Sequence, residues 1–162
     1  MNIYFDIDDI NIDNIFFFKP ANNNIIENAL FHRTIYSNKL VTLNAVFIKI
    51  NIDIDNIEKF YTKYKFNFDI NKNTDTINKI INIENEILDK FLVSNEYLKN
   101  KEKTHELHNL LYKQNFKLYT NNVHNHLKNE FILKISGFWE TQKKYGLTYK
   151  FIDIVNKNLT VC

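Results

Sequence analysis

The stretch from Phe131 to Val155, FILKISGFWETQKKYGLTYKFIDIV, decides how this chain is read. Apolar and polar residues alternate along both of its arms, the period at which successive side chains of a strand point to opposite faces. It also holds the only tryptophan and both glycines of the sequence. The spacing predicts a long β-hairpin. Counting by twos places Phe131, Leu133, Ile135, Gly137 and Trp139 on one face and Ile132, Lys134, Ser136, Phe138 and Glu140 on the other. The returning arm sorts Tyr145, Leu147, Tyr149 and Phe151 against Gly146, Thr148, Lys150 and Ile152. One face fills a core and the other offers aromatics and lysines to a partner. On this parity Trp139 goes inside, Phe138 goes outside, and Glu140 is an ordinary strand-end charge.

Working outward, a polar loop over 120–129 leads into the hairpin, and Phe116–Tyr119 reads as a short strand before it. Upstream the period changes. Ile77, Ile80, Ile81, Ile87, Leu88, Phe91 and Leu92 recur at three- and four-residue spacing with Glu84 on the same stripe, predicting a helix that starts near Thr74-Asp75-Thr76. A shorter helix is expected over Thr104–Gln114, with Leu107, Leu110 and Leu111 on its apolar side. Further upstream, Phe31–Tyr36 and Leu40–Ile52 read as an antiparallel pair turning at Ser37-Asn38-Lys39, and Lys59–Phe68 as another strand, with a helix as the alternative for its early part. Phe16-Phe17-Phe18 reads as a short buried strand ended at Pro20, because proline brings no ladder donor. Strands, then two helices, then strands is an α+β order rather than an alternating parallel one. The expectation is a single domain over residues 1–162: an antiparallel Greek-key, OB-like β-barrel with an inserted pair of helices at 74–114, closed by the hairpin at 131–155. Residues 1–14 form an acidic arm or an edge strand.

Asn, Ile, Lys, Phe and Tyr are over-used and Gly and Pro are scarce, the split between AT-rich and GC-rich codons. Such bias points to an AT-rich source genome. Net charge is only +2, yet it is unevenly placed. The first fourteen residues hold Asp6, Asp8, Asp9 and Asp13 with no Lys or Arg, while Lys113 to Lys150 holds seven lysines against Glu130 and Glu140. One cysteine, Cys162, forms no disulfide within the chain, which fits a reducing compartment. The opening residues lack the pattern of a secretory signal, and no apolar run reaches the ~20 residues of a spanning helix. An intracellular or virion setting is expected, with no membrane partner.

Enzyme signatures are missing: there is no Walker loop, GxGxxG or GxSxG, and two glycines cannot build a phosphate-cradling loop. The expectation is no catalysis and no cofactor. His105 and His108, with His124 and His126, raise a zinc alternative, but HELH is not the HExxH arrangement and no cysteine cluster supports it, so no metal is expected. A single nucleic-acid strand, by contrast, needs cations along its phosphates and exposed rings for its bases. Strand parity and local charge select Arg33, Tyr36, Lys134, Phe138, Lys143, Lys144, Tyr145 and Lys150 as candidates.

With this strand order and the ISGFWET…YGLTYKF hairpin, the chain resembles the small OB-fold single-stranded-DNA-binding proteins of large DNA viruses and bacteriophages. The resemblance implies non-catalytic coating of exposed single strands in DNA replication, recombination or repair, with replication proteins or further copies of the chain as additional partners. In an infected host that setting is cytoplasm or nucleus. One departure is the C-terminus NKNLTVC, which lacks the acidic tail with which many such proteins recruit partners. The alternative is a viral structural or assembly protein that uses its sheet for protein–protein contact.

Overall fold

The computed structural model describes residues 2–120, 129–154 and 159–161, and their strands and helices follow the expected α+β order. The first half runs β1 (Asn2–Asp6), β2 (Ile15–Phe17), β3 (Ala21–Asn22), β4 (Leu30–Ser37), β5 (Thr42–Leu43), β6 (Val46–Asn51), β7 (Asn56–Phe60) and β8 (Lys63–Asn67). Helix α1 (Thr74–Ser94), a 3-10 turn (Glu96–Asn100), β9 (Glu102–Thr104) and helix α2 (Glu106–Leu111) follow. The chain then forms β10 (Asn115–Leu118), β11 (Glu130–Glu140), β12 (Lys144–Asp153) and β13 (Leu159–Val161).

β11 is the hub of the larger sheet. One edge pairs antiparallel with β12, as the hairpin reading expects. Along the other edge it forks: Glu130 to Ile135 pair with β6, and Gly137 to Glu140 pair with β4. The handover falls on Ser136, which is bulged out of the β12 ladder between the Ile135–Tyr149 and Gly137–Thr148 pairs. Parallel pairings of β1 with β6 and β13, and of β9 with β12, make the sheet mixed. Among the described residues no closed barrel forms. The path β13-β1-β6-β11-β12-β9 has unpaired ends, and β4 branches off it carrying β2, β3 and β5. The expected pairing of Phe31–Tyr36 with Leu40–Ile52 is likewise cut short. Only Thr42 and Leu43 return along β4, after which the chain crosses to lay β6 between β1 and β11.

The bulge also inverts the parity of the hairpin, because one extra residue turns all later side chains to the opposite face. Phe131, Leu133 and Ile135 are buried as counted, but beyond Ser136 the buried residues are Phe138 and Glu140, and Trp139 points to the outer face. β12 has no such interruption, so Tyr145, Leu147, Tyr149 and Phe151 stay together on one side, the inner one.

Helix α1 covers that inner face with Ile77, Ile80, Ile83, Ile87, Leu88 and Phe91 buried, close to the expected stripe. Phe91 stacks on Phe138 at 3.9 Å between ring centroids. Glu84, on the same stripe, accepts hydrogen bonds from the backbone N–H groups of Leu107 at 2.8 Å and His108 at 2.9 Å. It thereby closes the first turn of α2, whose own N-cap residue His105 makes no side-chain cap bond. Burial pushes the Glu84 carboxyl pKa up, against the pull of those two backbone donors.

The segment expected as one strand over Lys59–Phe68 is a hairpin, β7 turning into β8, which with β10 makes a separate three-stranded sheet. Its inner residues Phe66 and Phe116 pack on Phe131 and Phe151 from the inner face of the larger sheet. The two sheets therefore share a core and turn their outer faces away from each other. Residues 2–6 of the acidic N-terminal segment are a strand between β6 and β13, and Asp8 pairs with Lys79 of α1 at 2.9 Å. Among the described residues no helix is long and apolar enough to cross a membrane.

Candidate nucleic-acid interface

The outer face of β4, β11 and β12 is assembled from cross-strand rows. Phe31, Trp139 and Gly146 form one row, and Arg33, Gly137 and Thr148 the next. Both glycines of the chain lie here, and close approach is the reason. A Cβ on Gly137 would sit 2.1 Å from the His32 carbonyl oxygen and 2.8 Å from the Phe31 ring. One on Gly146 would sit 2.2 Å from Thr104 Oγ1 and 3.0 Å from the Trp139 indole. Each glycine is thus the floor beneath an aromatic ring. Above these rings opens a cavity of about 680 Å³, lined by Phe31, Arg33, Trp139 and Thr148 and walled by residues 22–26. Ile25 on that wall is 93% exposed. Its volume is in the range of small-ligand sites.

Past the bulge the same face continues with Lys134 opposite Lys150, while Lys134 Nζ lies 5.3 Å from the centre of the Phe47 ring. Like charges directly opposite on a sheet repel. Loss of hydration, then the neighbouring Lys150, holds the Lys134 pKa below the usual lysine value. Neither lysine has an acidic partner among the described residues, unlike Lys49 on the adjoining row, which pairs with Glu130 at 2.8 Å.

The sequence-selected residues divide accordingly. Arg33, Lys134 and Lys150 share this outer face. Lys143 is exposed in the turn of the hairpin, and Lys144 beside it is paired with Glu102 at 3.0 Å. The three aromatics are corrections. Phe138 is 0% exposed against Phe91 because of the bulge, Tyr145 is buried on the inner side of β12, and Tyr36 is buried with its hydroxyl accepting from Asn14 Nδ2 at 3.1 Å. None presents a face on which a base can stack. Trp139, expected inside, takes the outer-face place expected of Phe138, where it is half-buried. An isolated glycine within a strand is the usual mark of a bulge, and Gly137 is that signal.

Under the tip of the hairpin lies a polar cluster that parity gave no reason to expect. Buried Glu140 receives His32 Nε2 at 2.7 Å and Tyr97 Oη at 2.8 Å on one carboxylate oxygen, and Lys101 Nζ on the other. Burial would raise its pKa, but the hydrogen bonds from Lys101, His32 and Tyr97 outweigh that and hold it below the usual carboxylate range. The Tyr97 hydroxyl, partly desolvated and bonded to that carboxylate, is pushed up to about 12. The cluster ties the 3-10 turn to β4 and β11.

His105 and His108 lie on and beside α2 with ring centroids 6.5 Å apart, while His124 and His126 fall outside the described residues. Among the described residues no group of three or more His, Cys, Asp or Glu side chains is placed to hold a metal ion. Comparison of the chain with protein-family models, curated proteins and solved structures finds no match.

Proposed function

We propose that this chain is a non-catalytic single-stranded nucleic-acid-binding protein that lays a strand along the outer face of β4, β11 and β12. The observation that carries the reading is the placement of two glycine-floored rings, Phe31 and Trp139, beside Arg33 and in line with Lys134 and Lys150, a pair with no acidic partner among the described residues. Bases stack on the rings and phosphates meet the cations, the combination a strand-tracking groove requires. Five residue steps separate Trp139 from Lys134, ~17 Å of strand at about 3.3 Å each, room for a short run of nucleotides. We read this curled surface as the counterpart of the binding face of an OB-like barrel. Coating of exposed strands in DNA replication, recombination or repair is the setting that follows.

A labelled oligonucleotide titrated at several salt concentrations tests the reading. Affinity is expected to fall with salt, and Arg33→Ala to reduce the slope of log K against log[salt] by about 0.7, one phosphate contact on a single strand. Trp139→Leu should weaken binding by about tenfold or more at every salt concentration without changing the slope, since a base stack contributes roughly 1–3 kcal/mol. Absence of any retention at low salt, with a protein–protein complex on sizing, would sink this reading in favour of an assembly role.

A further inference from the structure

The three-stranded sheet carries a second surface of the same chemistry, which the hairpin does not use. On the outer side of β7, β8 and β10, Lys63 stands opposite Phe60, and Lys65 stands between Glu58 and Lys117. Lys117 Nζ lies 3.5 Å above the centre of the exposed Phe60 ring, and Lys63 Nζ 4.8 Å from that of exposed Tyr119. Lys63 and Lys117 have no carboxylate partner among the described residues. Lys65 has only Glu58, at 4.0 Å.

The turn between β7 and β8 is the second observation. Phe60 pairs with Lys63, leaving Tyr61 and Thr62 as a two-residue connection in which Tyr61 has φ 54°. Left-handed backbone at such turns belongs to Gly, Asn or Asp, and a bulky residue there is strained. Tyr61 is nonetheless 85% exposed, its ring 5.0 Å edge-on to Phe60. A strained, solvent-facing ring contributes nothing visible to the core, and backbone strain of this kind gathers at functional positions.

We infer that this face is a second single-strand site, and that one molecule bridges two nucleic-acid segments. The inference rests on the function proposed above for the hairpin face. The chemistry is the same, rings for bases and ammonium groups for phosphates, while the location is opposite. The inner sides of the two sheets meet through Phe66 with Phe131 and Phe116 with Phe151, so the binding faces lie back to back. A short strand cannot lie on both. Two strands, or two distant parts of one, are held together instead.

Native mass spectrometry with a short oligothymidylate, run alongside energy transfer between donor- and acceptor-labelled copies, tests this. The wild-type chain should take two oligonucleotides per protomer and give energy transfer. Tyr61→Asn with Lys117→Ala should take one and lose the transfer, with the second affinity reduced by at least about tenfold. Thermal stability of that variant should not fall on account of position 61, since Asn tolerates left-handed backbone. Trp139→Leu with Arg33→Ala should also retain one. A single oligonucleotide on the wild-type protomer, or two on the Tyr61→Asn, Lys117→Ala variant, would overturn the inference and leave the hairpin reading intact. Two on the Trp139→Leu, Arg33→Ala variant would overturn the hairpin reading itself.

Discussion

Three side chains from distant parts of the chain converge on Glu140, and a carboxylate so held makes stability depend on its charge. Its folded pKa lies below the unfolded value, so the stabilisation is present above the ordinary carboxylate range and is lost as pH falls through the folded pKa. Glu140→Gln should therefore cost about 3 kcal/mol near neutrality, by urea unfolding, with the gap closing in acid. Glu84 has the opposite sign. Its folded pKa is raised from 4.5, so its contribution is full in acid and declines as pH rises through the folded value. Glu84→Gln should remove that decline from the pH profile of unfolding. On the outer face, Lys150→Thr relieves a like-charged pair; thermal stability should hold or rise while oligonucleotide affinity falls. Little of this was legible beforehand. Glu84 shares a helical stripe with its neighbours and could be placed locally, whereas His32 and Glu140 stand 108 positions apart and only the folded register brings them together.

Between residues and molecule stands the bulge. Alternation reveals strands but not their interruptions, so counting by twos was right from Phe131 to Ile135 and inverted from Gly137 to Glu140. β12, uninterrupted, keeps the two sides that the count gave it, although Tyr145 was chosen for binding from the side that proves to be the inner one. The cations Lys134 and Lys150 were found because the count held before the bulge and on β12, and Arg33 by its charge, since it was chosen together with Tyr36 from the opposite side of β4. Trp139 was missed because Phe138 and Trp139 exchange sides at the bulge; Phe31, on β4, was passed over for Tyr36. Deleting Ser136 removes the extra residue and leaves Ile135 and Gly137 as neighbours on Tyr149 and Thr148, so Phe138 should stay against Phe91 and Trp139 on the outer face; a retained fold with only a modest loss of stability in chemical denaturation is the expected outcome. Helix α1 was legible almost to its ends, since a long apolar stripe depends on neighbours within the same segment.

For the molecule as a whole, the α+β order was readable and the closed barrel was not found, because pairing partners depend on which strand meets which edge. Parallel neighbours at β1 and β9 and the branch at β4 have no local signature. Two sheets with a common core leave two broad faces outward, and the bridging inference belongs to that shape. The forked edge of β11 has a consequence of its own. Because β6 and β4 each hold only part of it, the β2–β5 flap can lift without unzipping β6. Native-state hydrogen exchange should then resolve two opening events along one continuous strand, with amides bonded to β4 released at lower free energy than those bonded to β6.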